Sequence, residues 1–480
     1  MASQAGPEWM SQGSQKEMIM VSRVHDTQAT LDNAHEFLKR NPDIEVFELL
    51  IPDTNGIVRG KWVPRNAVDK ALSNGIRLPS SMFALDVWGN DVLESGLVFE
   101  TGDRDALCLP VDGALKEVPW LKRRTAQLIM TMIEPDGTPF FGDPRSVLQK
   151  IVDKFSEIGL TPVTATELEF YLLDRDPGQD GRPQPPLSPT TGRRQFTNQV
   201  YGIEELHEFE DFFDSLSRAA TLQDLPVDTT VAEQAPNQYE INLIHVPDAV
   251  KAAEHAILLK RAIKGVAQAH EMNATFMAKP YGDLAGNGMH IHFSLVDKDG
   301  KNVFDDGSLH GSDILRHAVA GMSASMADCM ALFAPNINSY RRFQSGSHAP
   351  TTPSWGYDNR SVALRIPSGE RQAMRIEHRV GGADSNPFLA MAAMLAGAYY
   401  GIVNKLEPQP PTVGNAYTQH EASLPDNLAD ALIAFENSDF IREQFGENYQ
   451  KLYAAVKWQE LATFDGQVTP LEYDSFLRTV

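Results

Sequence analysis

The chain has 480 residues, and its hydrophobic content of 42% and aromatic content of 9% are typical of a globular protein. The length predicts two domains, or one large domain with a smaller companion. Its 64 acidic residues against 42 basic ones give a formal net charge of −22, which disfavours nucleic acid and anionic membranes as partners. Two cysteines, Cys108 and Cys329, are too few for a disulfide framework, and no apolar run approaches about 18 residues. We therefore expect a cytoplasmic protein without a transmembrane helix.

The first predicted elements follow a polar N-terminal segment. Residues 1–34 are rich in Gln and Ser at their start and carry no apolar leader, so we expect disorder there, up to a short helix in "ATLDNAHEFLKRNPD". The stretch "EVFELLIPDTNGIVRGKWVP" predicts two strands joined by a turn at residues 53–56, because Asp, Asn and Gly favour turns. These elements open a small N-terminal β-grasp-like domain, predicted over residues 35–120.

A larger catalytic domain is predicted over residues 121–480. It starts with a strand in "RRTAQLIMTMIEPDG" and a helix that Asp143 caps, that begins at Pro144 and that ends near Gly159. A strand in "ATELEFYLL" and a long Pro- and Gly-rich surface loop come next. A long amphipathic helix at residues 248–272, three further strands and a helical tail complete an α+β chain with antiparallel strands.

Four of these strands carry polar side chains at every second position, and alternate residues of a strand share one face. The four sets are Glu167 and Glu169; Glu240 and Asn242, with Glu233 beyond a Pro-Asn bend; His290, His292 and Ser294; and Arg375, Glu377 and Arg379. Taken one at a time, each set also fits an ordinary structural role, namely a wet strand face, packed histidines or a cross-strand ion ladder. Glu is a poor strand former, so its recurrence within apolar strands favours a site.

The chemistry that these side chains favour is metal-dependent phosphoryl transfer. Carboxylates with one imidazole suit Mg²⁺ or Mn²⁺, and arginines beside them suit an anionic substrate. The sequence has no GxxxxGK[ST] loop, no GxGxxG that opens a helix, no GxSxG and no HExxH or CxxC. From the residues alone we expect a metal-dependent enzyme that uses ATP and an acidic co-substrate.

Several motifs, in order along the chain, resemble those of the glutamine synthetase superfamily. They are "ELEF", "AGNGMHIH", "NINSYRRF", "DNRSVALRIP" and "RIEHRVGGADSNPFLA", and the resemblance extends from about residue 35 to the C-terminus. Within the superfamily, "LLIPDTNGIVRGKWVP" and "LPSSMFALDVWGN" are most similar to γ-glutamylpolyamine and γ-glutamylputrescine synthetases. The resemblance implies that ATP phosphorylates the γ-carboxylate of glutamate and that an amine then attacks the acyl phosphate.

The resemblance also implies a role for individual residues. It implies one metal held by Glu169, Glu233 and Glu240, and a second held by Glu167, His290 and Glu377, with two or three Mg²⁺ or Mn²⁺ ions per site. It implies ATP contacts from His292, Ser294, Arg365 and Arg375, and contacts to glutamate or the phosphoryl group from Gly286, Arg342, Arg360 and Arg379. Asp53, Glu233 and Arg360 are the expected catalytic residues, with Asp53 reaching a neighbouring subunit of a two-ring dodecamer.

Departures from the ammonia-using relatives favour a larger amine. Val231 and Ala232 replace a His-His pair, His348 replaces a catalytic Glu, and Ala285 replaces an Asn. Phe83, Asp86, Trp88 and His348 are candidates for the amine pocket, with Trp62, Glu94 and Trp355 as further possibilities. Polyamine or putrescine is the favoured amine. The alternatives are a monoalkyl, hydroxyalkyl or aromatic amine, ammonia itself, and a non-catalytic member of the fold.

Overall fold

The computed structural model describes residues 27–111, 115–179 and 181–480, with the backbone alone for residues 27–30. Helix α1 begins at Thr27, so residues 27–34 are helical and not disordered as the sequence predicts, while the prediction for residues 1–26 lies outside the described residues. The helices are α1 (Thr27–Arg40), α2 (Arg65–Asn74), α3 (Pro144–Glu157), α4 (Ile203–His207), α5 (Glu210–Leu222), α6 (Ala249–Ala269), α7 (Asp313–Ser325), α8 (Met330–Phe333), α9 (Pro387–Asn404), α10 (Ala416–Gln419), α11 (Leu428–Asn437), α12 (Asp439–Phe445), α13 (Glu447–Asp465) and α14 (Pro470–Phe476).

The strands form two sheets. They are β1 (Val46–Pro52), β2 (Val58–Pro64), β3 (Ile76–Pro79), β4 (Asp105–Pro110), β5 (Lys116–Glu117), β6 (Thr125–Ile133), β7 (Thr161–Asp174), β8 (Val227–Ala232), β9 (Gln238–Leu243), β10 (Met272–Thr275), β11 (Met289–Val296), β12 (Trp355–Tyr357), β13 (Leu364–Ile366) and β14 (Ile376–His378). The first sheet has the order β2-β1-β6-β4-β3, with β5 on β6. The second has the order β12-β13-β14-β11-β7-β9-β8, with β10 on β7.

The first sheet extends past the domain boundary that the sequence predicts at residue 120. Strand β6 pairs in parallel with β1 and antiparallel with β4, so it lies at the centre of this sheet. Leu452 and Val456 of α13 join the hydrophobic core beneath it. The predicted boundary is therefore too early, because a parallel partner of β1 must come from a distant part of the chain.

The second sheet carries the four strands with alternating polar residues. Strand β7 pairs antiparallel with both β11 and β9, and β14 pairs antiparallel with β11, so all four lie side by side. The apolar residues of β7, such as Leu168 and Phe170, enter the main core on the other face. The period-two pattern thus separates a buried apolar face from a polar one.

Helix α9 is the most apolar helix of the described part of the chain. Its 18 residues are long and hydrophobic enough to span a membrane by composition, but 72% of them are buried inside the protein. Gly321 of α7 faces α9 so closely that a Cβ there would lie 2.1 Å from the carbonyl oxygen of Gly397. The apolar run at residues 387–404, which the sequence analysis does not single out, is therefore a core helix.

Candidate active site

The polar face of the second sheet is assembled by strand register. Glu167 of β7 lies opposite His290 of β11 and Asn242 of β9, and Glu169 lies opposite Glu240 of β9. Directly opposed side chains of antiparallel strands have Cβ atoms about 5 Å apart. Register alone therefore brings the acids of two strands and the imidazole of a third to one place.

Seven side chains form three overlapping groups, and within each group the ligand atoms lie within 4.8 Å of one another. The groups are Glu169, Glu233 and Glu240; Glu167, Glu240 and His290; and Glu167, His292 and Glu377. Glu233 arrives from the end of β8, where its backbone N–H donates to the carbonyl oxygen of Gln238 across the β8–β9 turn. All six residues that the resemblance implies as metal ligands lie in this cluster.

Two of the carboxyl groups have raised pKa values because they are buried close to other negative charges. Burial and the charge of Glu169 raise the pKa of Glu233 to about 7. Burial and the neighbouring charges of Glu167, Glu169 and Glu233 raise the pKa of Glu240 to about 9. Like charges in a shared buried site disfavour ionisation, and a divalent cation relieves this.

Two other acids of the cluster have lowered pKa values because cations and hydrogen-bond donors face them. Burial opposes ionisation of Glu167, but hydrogen bonds from His290 and His292 outweigh it and lower the pKa of this carboxyl. Burial likewise opposes ionisation of Glu377, but the charge of Arg379 and the two histidines lowers its pKa to about 2. At one end of the cluster, Glu167 and Glu377 therefore favour the ionised form. At the other end, Glu233 and Glu240 favour the protonated form.

The donor set fits a hard or borderline divalent cation. Five carboxylates and an imidazole match the oxygen-rich preference of Mg²⁺ and the mixed preference of Mn²⁺. The side-chain oxygen Oδ1 of Asn242, at the edge of the same face, is buried and has no hydrogen-bond partner among the described residues. The raised pKa values of Glu233 and Glu240 point the same way, since both need a positive neighbour to ionise at neutral pH.

Arginines border the cluster on the β13–β14 side. Arg365 donates to Glu377 at 2.8 Å and to Asp358 at 2.7 Å, and Arg379 forms an ion pair with Glu377. Arg375 Nε donates to Nδ1 of His292 at 3.0 Å. Nε2 of the same ring lies 2.8 Å from Glu167 Oε1. Ser294, two residues beyond His292, is half-buried on the same strand.

Two glycines fit closely around a buried arginine. A Cβ on Gly286 would lie 2.6 Å from Cγ of Arg342, so a larger residue at position 286 would displace the Arg342 side chain. Arg342 is buried and donates to the carbonyl oxygen of Val380 at 3.1 Å. The backbone N–H of Gly288 donates to Glu169 Oε2 at 2.6 Å. The sequence analysis missed Gly288, although a glycine just before a strand signals close backbone approach.

A second missed residue is His245, which follows β9. Its ring meets that of His292 edge to face, with the centroids 5.6 Å apart. Burial and the charge of His292 lower its pKa to about 4, so it is neutral. No local sequence signal marks this histidine, because it reaches the site through a turn after the strand.

Arg360 and His348 lie on loops at the mouth of the site. Both line an open cavity of about 630 Å³ together with Tyr417. The guanidinium of Arg360 lies close enough to Glu233 to favour its charged form. His348 is exposed and has a left-handed backbone with φ of 60°.

The remaining candidates lie away from the cluster within this chain. Asp53 is 0% exposed, and its carboxylate accepts from the backbone of Asn55 and Ile57 and pairs with Arg59 at 2.6 Å. A buried, fully partnered carboxylate stabilises the β1–β2 turn. The catalytic role expected for Asp53 at a neighbouring subunit stays a prediction. Asn386 closes the turn by donating to the Asp53 carbonyl oxygen at 2.9 Å.

Three of the candidates for the amine pocket also contact other residues of this chain. Phe83 is 0% exposed and packs on Phe140 in the first core. Asp86 is 1% exposed and accepts hydrogen bonds from Asn90 and Gln459. Trp88 is half-exposed beside Phe464. Within this chain Phe83 and Asp86 thus belong to packing, and only Trp88 presents a free surface.

Comparison with protein families matches residues 141–476 to the glutamine synthetase catalytic domain. The gamma-glutamylputrescine synthetase of Escherichia coli is 43% identical, over 92% of this chain and 93% of its own length. A glutamate–isopropylamine ligase from a Pseudomonas species is 33% identical over 92% of this chain and 96% of its own length.

The fold has a counterpart among solved structures. A GmaS–ADP complex superimposes with a TM-score of 0.80 at 27% identity, covering 93% of this chain and 99% of its own. The similarity therefore includes the first sheet as well as the strands that carry the cluster.

Proposed function

Because the chain belongs to the glutamine synthetase family, we propose that it uses ATP to join the γ-carboxylate of glutamate to an organic amine, with putrescine or another polyamine favoured. The observation that carries this proposal is the single cluster of five carboxylates and an imidazole, bordered by arginines. The relatives support an organic amine as the second substrate. Proteins named for ligating glutamate to putrescine and to isopropylamine match almost the whole chain.

The two ends of the cluster suit two divalent ions. Glu169, Glu233 and Glu240 form one of the three groups and would hold one ion. Glu167, His290 and Glu377 would hold the other, since Nδ1 of His290 lies 3.2 Å from Glu167 Oε2 and 3.8 Å from Glu377 Oε1. Bound Mg²⁺ or Mn²⁺ supplies charge neutralisation for the phosphates of ATP. Arg365, Arg379 and His292 orient the carboxylates Glu377 and Glu167 that face the ions, which fixes the geometry in advance.

The reaction has two steps. A γ-carboxylate oxygen of glutamate attacks the γ-phosphorus of ATP, the bond to ADP breaks, and γ-glutamyl phosphate forms. The amine nitrogen then attacks the acyl carbon, phosphate leaves, and the nitrogen loses a proton. We assign ATP to His292, Ser294, Arg365 and Arg375, and glutamate and the transferring group to Gly286, Arg342, Arg360 and Arg379.

The proton of the amine needs an acceptor, and Glu233 suits this task. As a carboxylate near Arg360, it can accept a proton from the amine. Arg360, beside it at the mouth of the site, favours its charged form and faces the negative charge of the acyl phosphate. His348 lines the same mouth and is a second candidate for contact with the amine.

Other amines remain alternatives to putrescine. Val231 is half-buried opposite Glu240, so it offers an alkyl chain an apolar neighbour that suits ammonium less well, whereas Ala232 is 2% exposed and belongs to the main core. The isopropylamine relative and the gamma-glutamylethanolamide synthetase of Streptomyces coelicolor, 34% identical over 90% of this chain, favour a small alkyl or hydroxyalkyl amine as the runner-up.

We also propose a cytoplasmic homo-oligomer of the dodecameric, two-ring kind. The support from this chain is the apolar surface of the first unit, where Phe99 is 76% exposed, together with the exposed Leu471 of α14. Electron microscopy of the purified protein tests this assembly directly.

The test of function is ADP release with a panel of amines. With glutamate, ATP and Mg²⁺ present, we expect putrescine or spermidine to stimulate ADP release far more than ammonium, methylamine, isopropylamine, ethanolamine or aniline. Mass spectrometry should find the matching γ-glutamyl amide. Full-rate ADP release with ammonium and none with any amine would show a glutamine synthetase instead.

A further inference from the structure

A cavity of about 550 Å³ lies apart from the strand cluster, between the first sheet and the catalytic unit. Its walls are the β1–β2 turn, Trp62 of β2, the face of α6 that carries Lys260 and Lys264, and the loop containing Asp384. This volume is in the range of small-molecule sites. None of the cluster's acids or histidines lines it.

Two ammonium groups enter this cavity around one aromatic ring. Lys260 Nζ lies 5.3 Å and Lys264 Nζ 5.7 Å from the ring centre of Phe276. Lys260 also donates to the backbone carbonyls of Ala383 at 2.7 Å and Ser385 at 3.4 Å. Among the described residues neither lysine has a carboxylate within ion-pair distance, and Lys264 is also exposed to solvent.

In the described part of the chain the neighbouring charges form no ion pair with either lysine, although Asp384 partly offsets the charge of Lys260 and keeps a buried Oδ1 without a hydrogen-bond partner. Arg261 pairs with Glu48, and Trp62 donates to the same carboxylate at 2.9 Å. Asp384 uses one oxygen to accept from Asn336 and Ser339 and forms no ion pair with Lys260. Burial and the charge of Lys264 lower the pKa of Lys260 to about 7, as an unmatched buried ammonium requires.

The rest of the wall is apolar and aromatic. Trp62 is 66% exposed on one side, Met277 is 45% exposed on another, and Trp120 lies against α6. Gly265 permits that approach, since a Cβ there would lie 2.3 Å from Nε1 of Trp120. The cavity therefore offers a positive end beside flat hydrophobic surfaces.

We propose that this cavity is a second ligand site that binds a small organic anion, with a carboxylate or phosphate between Lys260 and Lys264 and an apolar body against Phe276, Trp62 and Met277. The anion supplies the counter-charge that the two lysines lack. Lys260 donates to the backbone carbonyls of Ala383 and Ser385, which lie in the loop that connects β14, by way of Arg379, to α9. An anion bound at Lys260 would therefore stabilise this loop.

The test measures binding of benzoate, phenyl phosphate and the neutral benzamide to the full-length protein by calorimetry. We expect the anions to bind and benzamide to bind at least about tenfold more weakly, because it lacks the charge. Whichever of benzoate and phenyl phosphate binds more tightly identifies the anionic group. Absence of binding by both anions, or equal binding of benzamide, overturns the proposal.

Variants locate the site. Lys264→Met keeps the aliphatic stem, and we expect it to raise the dissociation constant of the better anion at least about tenfold. Lys264→Gln serves if the first variant does not fold. The exposed Lys298→Met should leave binding unchanged. Arg360→Met, at the mouth of the active site, should also retain it. Unchanged binding in both Lys264 variants, or loss in Arg360→Met, would place the anion elsewhere.

Discussion

At the scale of single residues, the protonation of the acidic cluster follows from what each carboxylate faces. Glu377 faces Arg365 and Arg379, and its pKa falls to about 2, whereas Glu240 faces three acids and its pKa rises to about 9. The two groups lie on the same sheet and belong to overlapping ligand groups. Position among neighbours, and not residue type, therefore decides which carboxylate is charged before a cation arrives.

Glu377→Gln should lower turnover at least about 100-fold, because the amide keeps the shape but offers a cation no charge and no longer pairs with the arginines. The measurement is ADP release under saturating substrates. The exposed Glu157→Gln, at the end of α3, is the matched control and should behave as wild type. Normal activity in Glu377→Gln with an unchanged circular dichroism spectrum would contradict the assignment.

The raised pKa values of Glu233 and Glu240 predict a pH-dependent effect of metal on stability. A carboxyl with a raised pKa binds its proton more tightly when folded, so the free energy of unfolding falls as pH rises from the ordinary 4.5 towards 7 and 9. Mn²⁺ should therefore raise the melting temperature more at pH 8 than at pH 5.5. Glu240→Gln should flatten this difference, and an equal effect at both pH values would count against the cluster.

At the scale of elements, the site depends on strand register and on close backbone approach. Each of the four polar-faced strands contributes two or three side chains, and a register slip of one residue would turn Glu167 and Glu169 into the core. The loop before β11 is fitted just as closely, since Gly286 leaves room for Arg342.

Gly286→Ala should displace Arg342 and raise the KM for glutamate at least about tenfold, because overpacking costs about 1–3 kcal/mol and shifts the guanidinium. Gly282→Ala lies in the same loop with nothing within 4 Å of its added Cβ and provides the control. The comparison of KM and kcat in both variants is the measurement. Equal KM values would show that Arg342 does not bind glutamate.

Local patterns predict these strands well, and non-local pairings explain what they miss. Alternation is visible within a few residues, so the polar faces around Glu167 and His290 follow from the sequence. The membership of β6 in the first sheet does not, because its partner β1 lies far away in the chain. The burial of Phe83 and Asp86 also could not be predicted from local sequence, since their partners Phe140 and Gln459 come from distant segments.

At the scale of the whole molecule, helix α13 connects the two units. Lys457 is 1% exposed and pairs with Glu460 at 2.8 Å. Glu460 accepts from Asn55 at 2.9 Å and from the backbone of Val87 at 2.8 Å, both in the first unit. The two units therefore share a buried polar contact as well as apolar packing.

Lys457→Met should lower the free energy of unfolding by about 3 kcal/mol or more, because Glu460 is left buried without its cation. Adding Glu460→Gln should restore part of the loss. Urea denaturation measures both, and Lys451→Met, on the exposed side of the same helix, is the control. A double variant less stable than Lys457→Met alone would show that the pair does not act through charge.

The whole account depends on the strand cluster binding divalent cations, and the number of Mn²⁺ ions bound per chain tests this most directly. Electron paramagnetic resonance titration of free Mn²⁺ should show at least two ions per wild-type chain, one for each end of the cluster. Glu240→Gln should weaken chiefly the ion that Glu240 would hold with Glu169 and Glu233. Binding of fewer than two ions, or the same titration in Glu240→Gln, would contradict the account.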